Sequence, residues 1–276
     1  MADFERSPKA YYSQTLNQKK TWYAAVAAAY DKARPPYPPA LIQQALALAQ
    51  LSAGDRILEL GCGPATATTA FAALGMTMVC LEPSPPTYAL AQQNCAPYPA
   101  VSLLNTTFEE WSVDSAGFEA VLAANAFHWI APDIRHAKSA QALKAQGALI
   151  LLWNLPPQLP SAIGQQLQPI YQAHSPELAF PESFQARVEN IRQLGQAAVH
   201  SGYFQHLKAE QQICQAFYSV DDYLLLLSTL SPYIALPAEQ RQALFADLKA
   251  ALEKSWGDRL PVSYLSALQV LHKADC

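Results

Sequence analysis

The stretch Ile57-Leu58-Glu59-Leu60-Gly61-Cys62-Gly63-Pro64-Ala65-Thr66 decides how this chain is read. An apolar strand carrying one acidic residue runs into a glycine turn, and a helical pattern follows. Glycine belongs where a side chain would block the approach of the backbone to a nucleoside. Further along, Met76-Thr77-Met78-Val79-Cys80-Leu81 reads as a second strand. It ends on Glu82, 21 residues beyond Gly61. An acidic residue there is placed to accept hydrogen bonds from both hydroxyls of a ribose. The turn and Glu82 together mark a site for an adenosine-type cofactor.

The kind of cofactor follows from what the turn lacks. A dinucleotide fingerprint wants a third small residue for close helix–strand packing, and here that position is Thr66. No basic residue lies between Gly61 and Phe71 to meet a pyrophosphate, and Glu59 would repel one. A cofactor carrying an ammonium and a sulfonium suits this turn better. At these residues the chain resembles the class I S-adenosylmethionine (SAM)-dependent methyltransferases, whose first motif runs acidic–apolar–Gly–x–Gly. The resemblance implies SAM as cofactor, S-adenosylhomocysteine (SAH) as product, and methyl transfer to a small-molecule acceptor by in-line displacement. A carboxylate acceptor, already ionised at neutral pH, would require no base. A SAM-binding module without activity and a nicotinamide-dependent oxidoreductase are the two alternatives from other classes.

Composition narrows the partners. The chain has 276 residues, enough for a full core and a cap; 51% are apolar and 14% charged, which excludes a disordered or fibrous protein. Net charge is −4 and no Lys/Arg run exceeds two residues, so nucleic acid is not an expected partner. The N-terminal residues lack the shape of a signal peptide, and no apolar run reaches about 18 residues. A cytoplasmic protein without a membrane partner is expected. The five cysteines are scattered, without Cys-x-x-Cys spacing, which argues against a disulfide framework or a metal site.

The order of elements predicts an α/β fold. Helical spacing covers residues 10–33, the run Arg34-Pro35-Pro36-Tyr37-Pro38-Pro39 breaks it, and a second helix covers 40–50. Strands are then predicted near 56–60, 76–82, 100–105, 118–124 and 147–153. Helices fall between them near 65–74, 85–95 and 132–145, with Gly75 and Gly147 as helix terminators. Such alternation gives a mostly parallel, Rossmann-like sheet. After Trp153 come helical patterns over 161–200, a strand at 207–219, helices at 220–230 and 237–255, and a strand at 261–271. Two late strands match the antiparallel final hairpin that the resemblance implies, making seven strands with a helical cap. The expected divisions are 1–50 for N-terminal helices over the cofactor site, 51–155 for the SAM-binding core, 156–206 for the cap, and 207–276 for the last strands with a helical excursion.

Ligands in open α/β sheets bind beyond the carboxyl ends of the strands. Gly61, Cys62, Gly63, Glu82, Pro83, Thr107, Phe108 and Asn125 should therefore converge there. In the resembled family Thr107 stands where an aspartate often reads the adenine, so the backbone of Phe108 is left for that contact. Asn125-Ala126-Phe127-His128-Trp129 matches a Phe-His-Trp sequence after the fourth strand in the methyltransferase type 11 subgroup. His128 is the candidate catalytic residue, as base or as positioner; capping the following helix is the plainer reading. Tyr30-Asp31-Lys32-Ala33-Arg34-Pro35-Pro36-Tyr37-Pro38 resembles the Tyr-x3-Arg-Pro-x-Tyr-Pro signature of the same subgroup. Arg34 offers a fork for the methionine carboxylate, and Tyr30 or Tyr37 a face for the sulfonium. Trp22, Tyr23, Trp129 and Trp153 are candidate walls of the acceptor cavity. The tract Ser228-Thr229-Leu230-Ser231-Pro232-Tyr233 resembles a signature in trans-aconitate methyltransferase-like proteins.

Overall fold

The computed structural model describes residues 20–21, 23–113, 117–179, 183–257 and 259–275. Five strands run parallel: β1 (Arg56–Leu60), β2 (Thr77–Leu81), β3 (Val101–Leu104), β4 (Phe118–Ala124) and β5 (Leu143–Asn154). Two antiparallel strands, β6 (Phe204–Tyr218) and β7 (Leu260–Lys273), complete a seven-stranded sheet in the order β3-β2-β1-β4-β5-β7-β6. Strand order reverses between β1 and β4, and a crevice opens at that switch point.

Burial on both faces explains the near-continuous apolar runs of the inner strands. Ile57 of β1 joins one core with Met78, Cys80 and the helices α2 (Pro39–Leu48), α3 (Thr66–Ala72) and α4 (Pro85–Cys95). Leu58 and Leu60, on the opposite face, join Leu149, Leu151 and the helices α5 (Pro132–Ala142) and α7 (Phe184–His200). A third cluster lies away from the sheet centre. It gathers Leu167 of α6 (Ser161–His174), Leu226 of α8 (Val220–Ser228), Leu248 of α10 (Ala238–Trp256) and Ala33 of α1 (Ala27–Ala33). A one-turn helix, α9 (Ser231–Ile234), links α8 to α10.

Three expectations change. The described part of the first predicted helix is a 3-10 turn at Ala24–Val26 followed by α1, so helicity is interrupted at Tyr23; residues 10–19 and 22 lie outside the described residues. Strand β5 begins at Leu143, not 147. Leu143 pairs with Phe118 and Ala148 with Ala120 across an irregularity in register, and the exposure of Lys144, Ala145 and Gln146 between them hid this part from an apolar pattern. Gly147 therefore sits inside a strand rather than at a helix end. A Cβ there would stand 2.9 Å from Leu143 and 3.1 Å from the Glu119 carbonyl. Gly75 does end its helix, at φ +85°. Among the described residues no helix is long and apolar enough to cross a membrane.

Candidate functional site

The turn after β1 is built from backbone that only glycine adopts freely: Gly61 and Gly63 have φ of +62° and +59°. Gly61 also lies so close to Ala126 that a Cβ would come within 3.1 Å of the alanine methyl. A Cβ on Gly63 would instead project into open space. Ala65, before α3, holds φ +73° without glycine's freedom, a strained position for an alanine. The Cys62 N–H donates to the Leu81 carbonyl at 2.9 Å, joining the turn to the end of β2.

Glu82 binds that turn directly. One carboxylate oxygen accepts from the Gly63 N–H at 2.9 Å and the other from the Ser84 N–H at 2.8 Å. Each oxygen keeps a lone pair for a further donor. The Asn105 amide donates to the Glu82 carbonyl at 2.8 Å and fixes the strand end. Burial pushes the Glu82 carboxyl up to about 7, against the pull of the two backbone N–H groups.

Above these strand ends lies a cleft of about 1540 Å³. Gly61, Cys62, Gly63, Glu82 and Pro83 form its floor, Thr107 and Phe108 one side, and Asn125, His128, Trp129 and Trp153 another. Tyr23, Tyr30 and Arg34 close it from the N-terminal segment. Trp22 lies outside the described residues.

Four of the expected residues make contacts within the protein; Thr107, Asn125 and Arg34 also line the cleft, and Glu59 does not. Glu59 is fully buried beneath the turn and does not border the cleft. One of its oxygens accepts from the Thr68 hydroxyl at 2.6 Å, and burial pushes its carboxyl up to about 8. The Thr107 hydroxyl is bonded to Glu110 at 2.9 Å, which turns it into the local loop rather than toward a ligand. The Asn125 amide pairs with the backbone of Asn154, accepting from its N–H at 3.0 Å and donating to its carbonyl at 3.2 Å. Arg34 uses Nε and Nη2 on the hydroxyl and carbonyl of Thr229, both at 2.9 Å, and lies 4.7 Å from the Tyr30 ring centre. The edge expected to fork a carboxylate thus joins the N-terminal segment to α8.

His128 precedes α5, whose N-cap residue is Ala131. It stands between two indoles, with ring centres 4.2 Å from Trp129 and 5.6 Å from Trp153. Burial, with the charge of Arg135 adding to it, pushes its pKa down to about 3. The ring is therefore neutral at physiological pH, and too weak a base to match a proton acceptor poised near 7.

Asn154 is the site residue that sequence reading missed. Its Nδ2 donates to the carbonyls of Pro35 and Pro36 at 2.9 and 3.2 Å, and its Oδ1 accepts from Ser266. It seats the proline run on the end of β5. Tyr23 reaches the other way, its hydroxyl 2.8 Å from that of Ser231, so the Ser/Thr tract of 228–233 holds the N-terminal segment at two points. Among the described residues no group of three His, Cys, Asp or Glu is placed to hold a metal ion.

Comparison with known proteins agrees with this geometry. Residues 57–147 match a methyltransferase domain. An uncharacterized methyltransferase of Mycobacterium tuberculosis strain H37Rv is 33% identical over 132 residues, and that of Mycobacterium bovis matches equally. The match takes in 48% of this chain and 51% of the relative, so the chain spans about half the length of the curated relatives it matches. A candidate type II methyltransferase from Anaeromyxobacter dehalogenans superposes with a TM-score of 0.62 at 20% identity, over 86% of this chain and 97% of that one. The [4+2]-cyclase SpnF superposes with a TM-score of 0.57 at 13% identity, over 96% and 98%. These likenesses show the fold, and the second shows that the fold alone does not fix the reaction.

Proposed function

We propose that this protein is a SAM-dependent methyltransferase acting on a small-molecule acceptor. The observation that carries the reading is the direct bonding of Glu82 to the Gly63 N–H, which sets a carboxylate with spare lone pairs on the floor of a glycine-opened cleft. When bound, SAM supplies an electrophilic methyl group on a sulfonium. Glu82 would hold its ribose, the Gly61–Gly63 backbone its amino-acid half, and Phe108 its adenine. The floor residues Gly61, Cys62, Gly63, Glu82 and Pro83 include no cation for a pyrophosphate, which disfavours a dinucleotide.

The chain's contribution to rate is orientation. Trp129, His128 and Trp153 form a wall that excludes water and aligns the acceptor, and positioning of this kind is worth up to about 7–11 kcal/mol. A neutral His128 offers a hydrogen bond without placing a second positive charge beside a sulfonium. An acceptor already nucleophilic at pH 7, such as a carboxylate, is the one such a site serves. We assign the site to the cytoplasm, with residues 51–155 as cofactor core, 1–50 as its cover, and 156–206 as the cap ahead of the last strands in 207–276.

The test is calorimetric titration of the full chain with SAH, with NAD alongside. One-site binding of SAH alone is expected. Binding of NAD in preference would transfer the site to the oxidoreductases, and binding of SAH with no turnover on any acceptor would leave a binding module.

A further inference from the structure

Building on that cofactor assignment, we propose that the cap half of the cleft receives an acceptor whose bulk is apolar and ring-bearing, rather than a compact polyacid. Size is the first reason. A cleft of about 1540 Å³ exceeds the roughly 300–1,000 Å³ of a site for one drug-sized ligand. Room remains for a second body comparable with the cofactor.

The wall chemistry is the second reason. Leu155, Pro156 and Pro157 follow β5 into the cleft, and Leu167 of α6, Leu227 of α8 and Leu230 of the turn after α8 line it as well. The charged groups that border the cleft already have protein partners. Lys20 pairs with Glu110 at 2.9 Å, Arg34 holds Thr229, Glu109 accepts from the Ala131 N–H at 3.1 Å, and Glu177 from the Ser175 hydroxyl at 3.0 Å. Among the described lining residues that the cap helices contribute, Arg187 is the only cation. A compact acid with two or three charges would lose its hydration against leucine and proline on the cap side, where Arg187 is the single cation among the described lining residues, a transfer such a wall does not offset.

Aromatic groups supply the shape and one polar edge. The Trp129–His128–Trp153 row presents ring faces and edges of the kind that pack against another ring. Across the cap, the hydroxyls of Tyr171 and Tyr233 lie 2.9 Å apart. In such a pair one hydroxyl hydrogen serves the bond and the other remains to donate to a neutral oxygen. Gly164 of α6 lines the cleft, and an added Cβ there would meet nothing within 4 Å. A large side chain there would project into the space the acceptor needs without disturbing the fold.

The full chain would be titrated by calorimetry with 2-naphthol, 2-naphthoic acid and citrate, each with and without saturating SAH. Both naphthyl compounds are expected to bind at micromolar concentration and citrate not to saturate. Gly164→Phe is expected to weaken naphthyl binding at least tenfold while leaving SAH affinity and Tm unchanged. Should that variant misfold, Leu230→Glu, which sets a charge in the apolar wall, is expected to give the same loss. Saturating citrate binding without naphthyl binding would overturn the proposal, as would naphthyl binding indifferent to both substitutions. The SAH arm reports separately on the cofactor assignment, since the acceptor titrations are read without cofactor as well.

Discussion

Glu82 couples the cofactor site to pH. Its carboxyl titrates near 7 in the free protein, and only the anion accepts from both ribose hydroxyls while it holds the Gly63 and Ser84 amides. Ligand hydroxyls would draw that pKa down, so binding releases a proton wherever the free site is still protonated. SAH affinity should then rise about tenfold between pH 6 and pH 8, as one linked proton requires. Glu82→Gln is expected to abolish this rise and to weaken binding at pH 8 by about 1.5–3 kcal/mol, the worth of hydrogen bonds to a charged group. Calorimetry at three pH values distinguishes the outcomes, and a variant that keeps both the affinity and the slope would remove Glu82 from the ribose site. His128 behaves oppositely: with its pKa near 3, it contributes no ionisation in the same range.

At the scale of elements, what was legible in the sequence is what neighbouring residues determine. The glycine turn, the strand ending on Glu82 and the parallel strands are each set by local pattern, because burial on both faces demands continuous apolar runs. Asn154 was not legible as a site residue, nor was the tie of the 228–233 tract to the N-terminal segment, since the partners Pro35, Arg34 and Tyr23 lie 119, 195 and 208 positions from Asn154, Thr229 and Ser231. Helix α7 carries a further example. Gly195 is a poor helix former at an interior position, and nothing in the local pattern asks for it. The reason lies on β7: the Gln269 amide packs where its Cβ would be, accepting from the Trp153 indole at 3.3 Å and donating to the Ile191 carbonyl at 3.0 Å. Gly195→Ala should therefore destabilise the protein by about 1–2 kcal/mol, overpacking outweighing the propensity gained. Urea unfolding measures the sign directly. A more stable variant would mean that Gln269 yields and that the bridge to Trp153 is dispensable.

For the molecule as a whole, the buried groups around the cleft make stability depend on pH in two limbs of opposite sign. His128 and His136 are pushed down to about 3 and 4, chiefly by burial, so the unfolded chain binds their protons more readily between those values and their ordinary pKa of about 6.5. Stability from them rises with pH across that interval. Glu59 and Glu82 are pushed up to about 8 and 7, so the folded chain holds their protons above the ordinary carboxylate range. Stability from them falls from about pH 4.5 upward. The two effects oppose each other between about pH 4.5 and 6.5, where the histidines still contribute. Above pH 6.5, of these four groups only the glutamates remain, and their share of the loss in the protein without ligand should be on the order of 2–3 kcal/mol by pH 8.5. Glu59→Gln should flatten most of that decline. Saturating SAH should flatten only the share belonging to Glu82, because Glu59 lies beneath the turn with the Thr68 hydroxyl on one oxygen and does not border the cleft. Urea midpoints from pH 4 to 9 for both proteins, with and without SAH, test the assignment. A decline that survives Glu59→Gln undiminished would show that the carboxyl under the glycine turn is already ionised in the folded state, and that the negative charge repelling a pyrophosphate is present at every physiological pH.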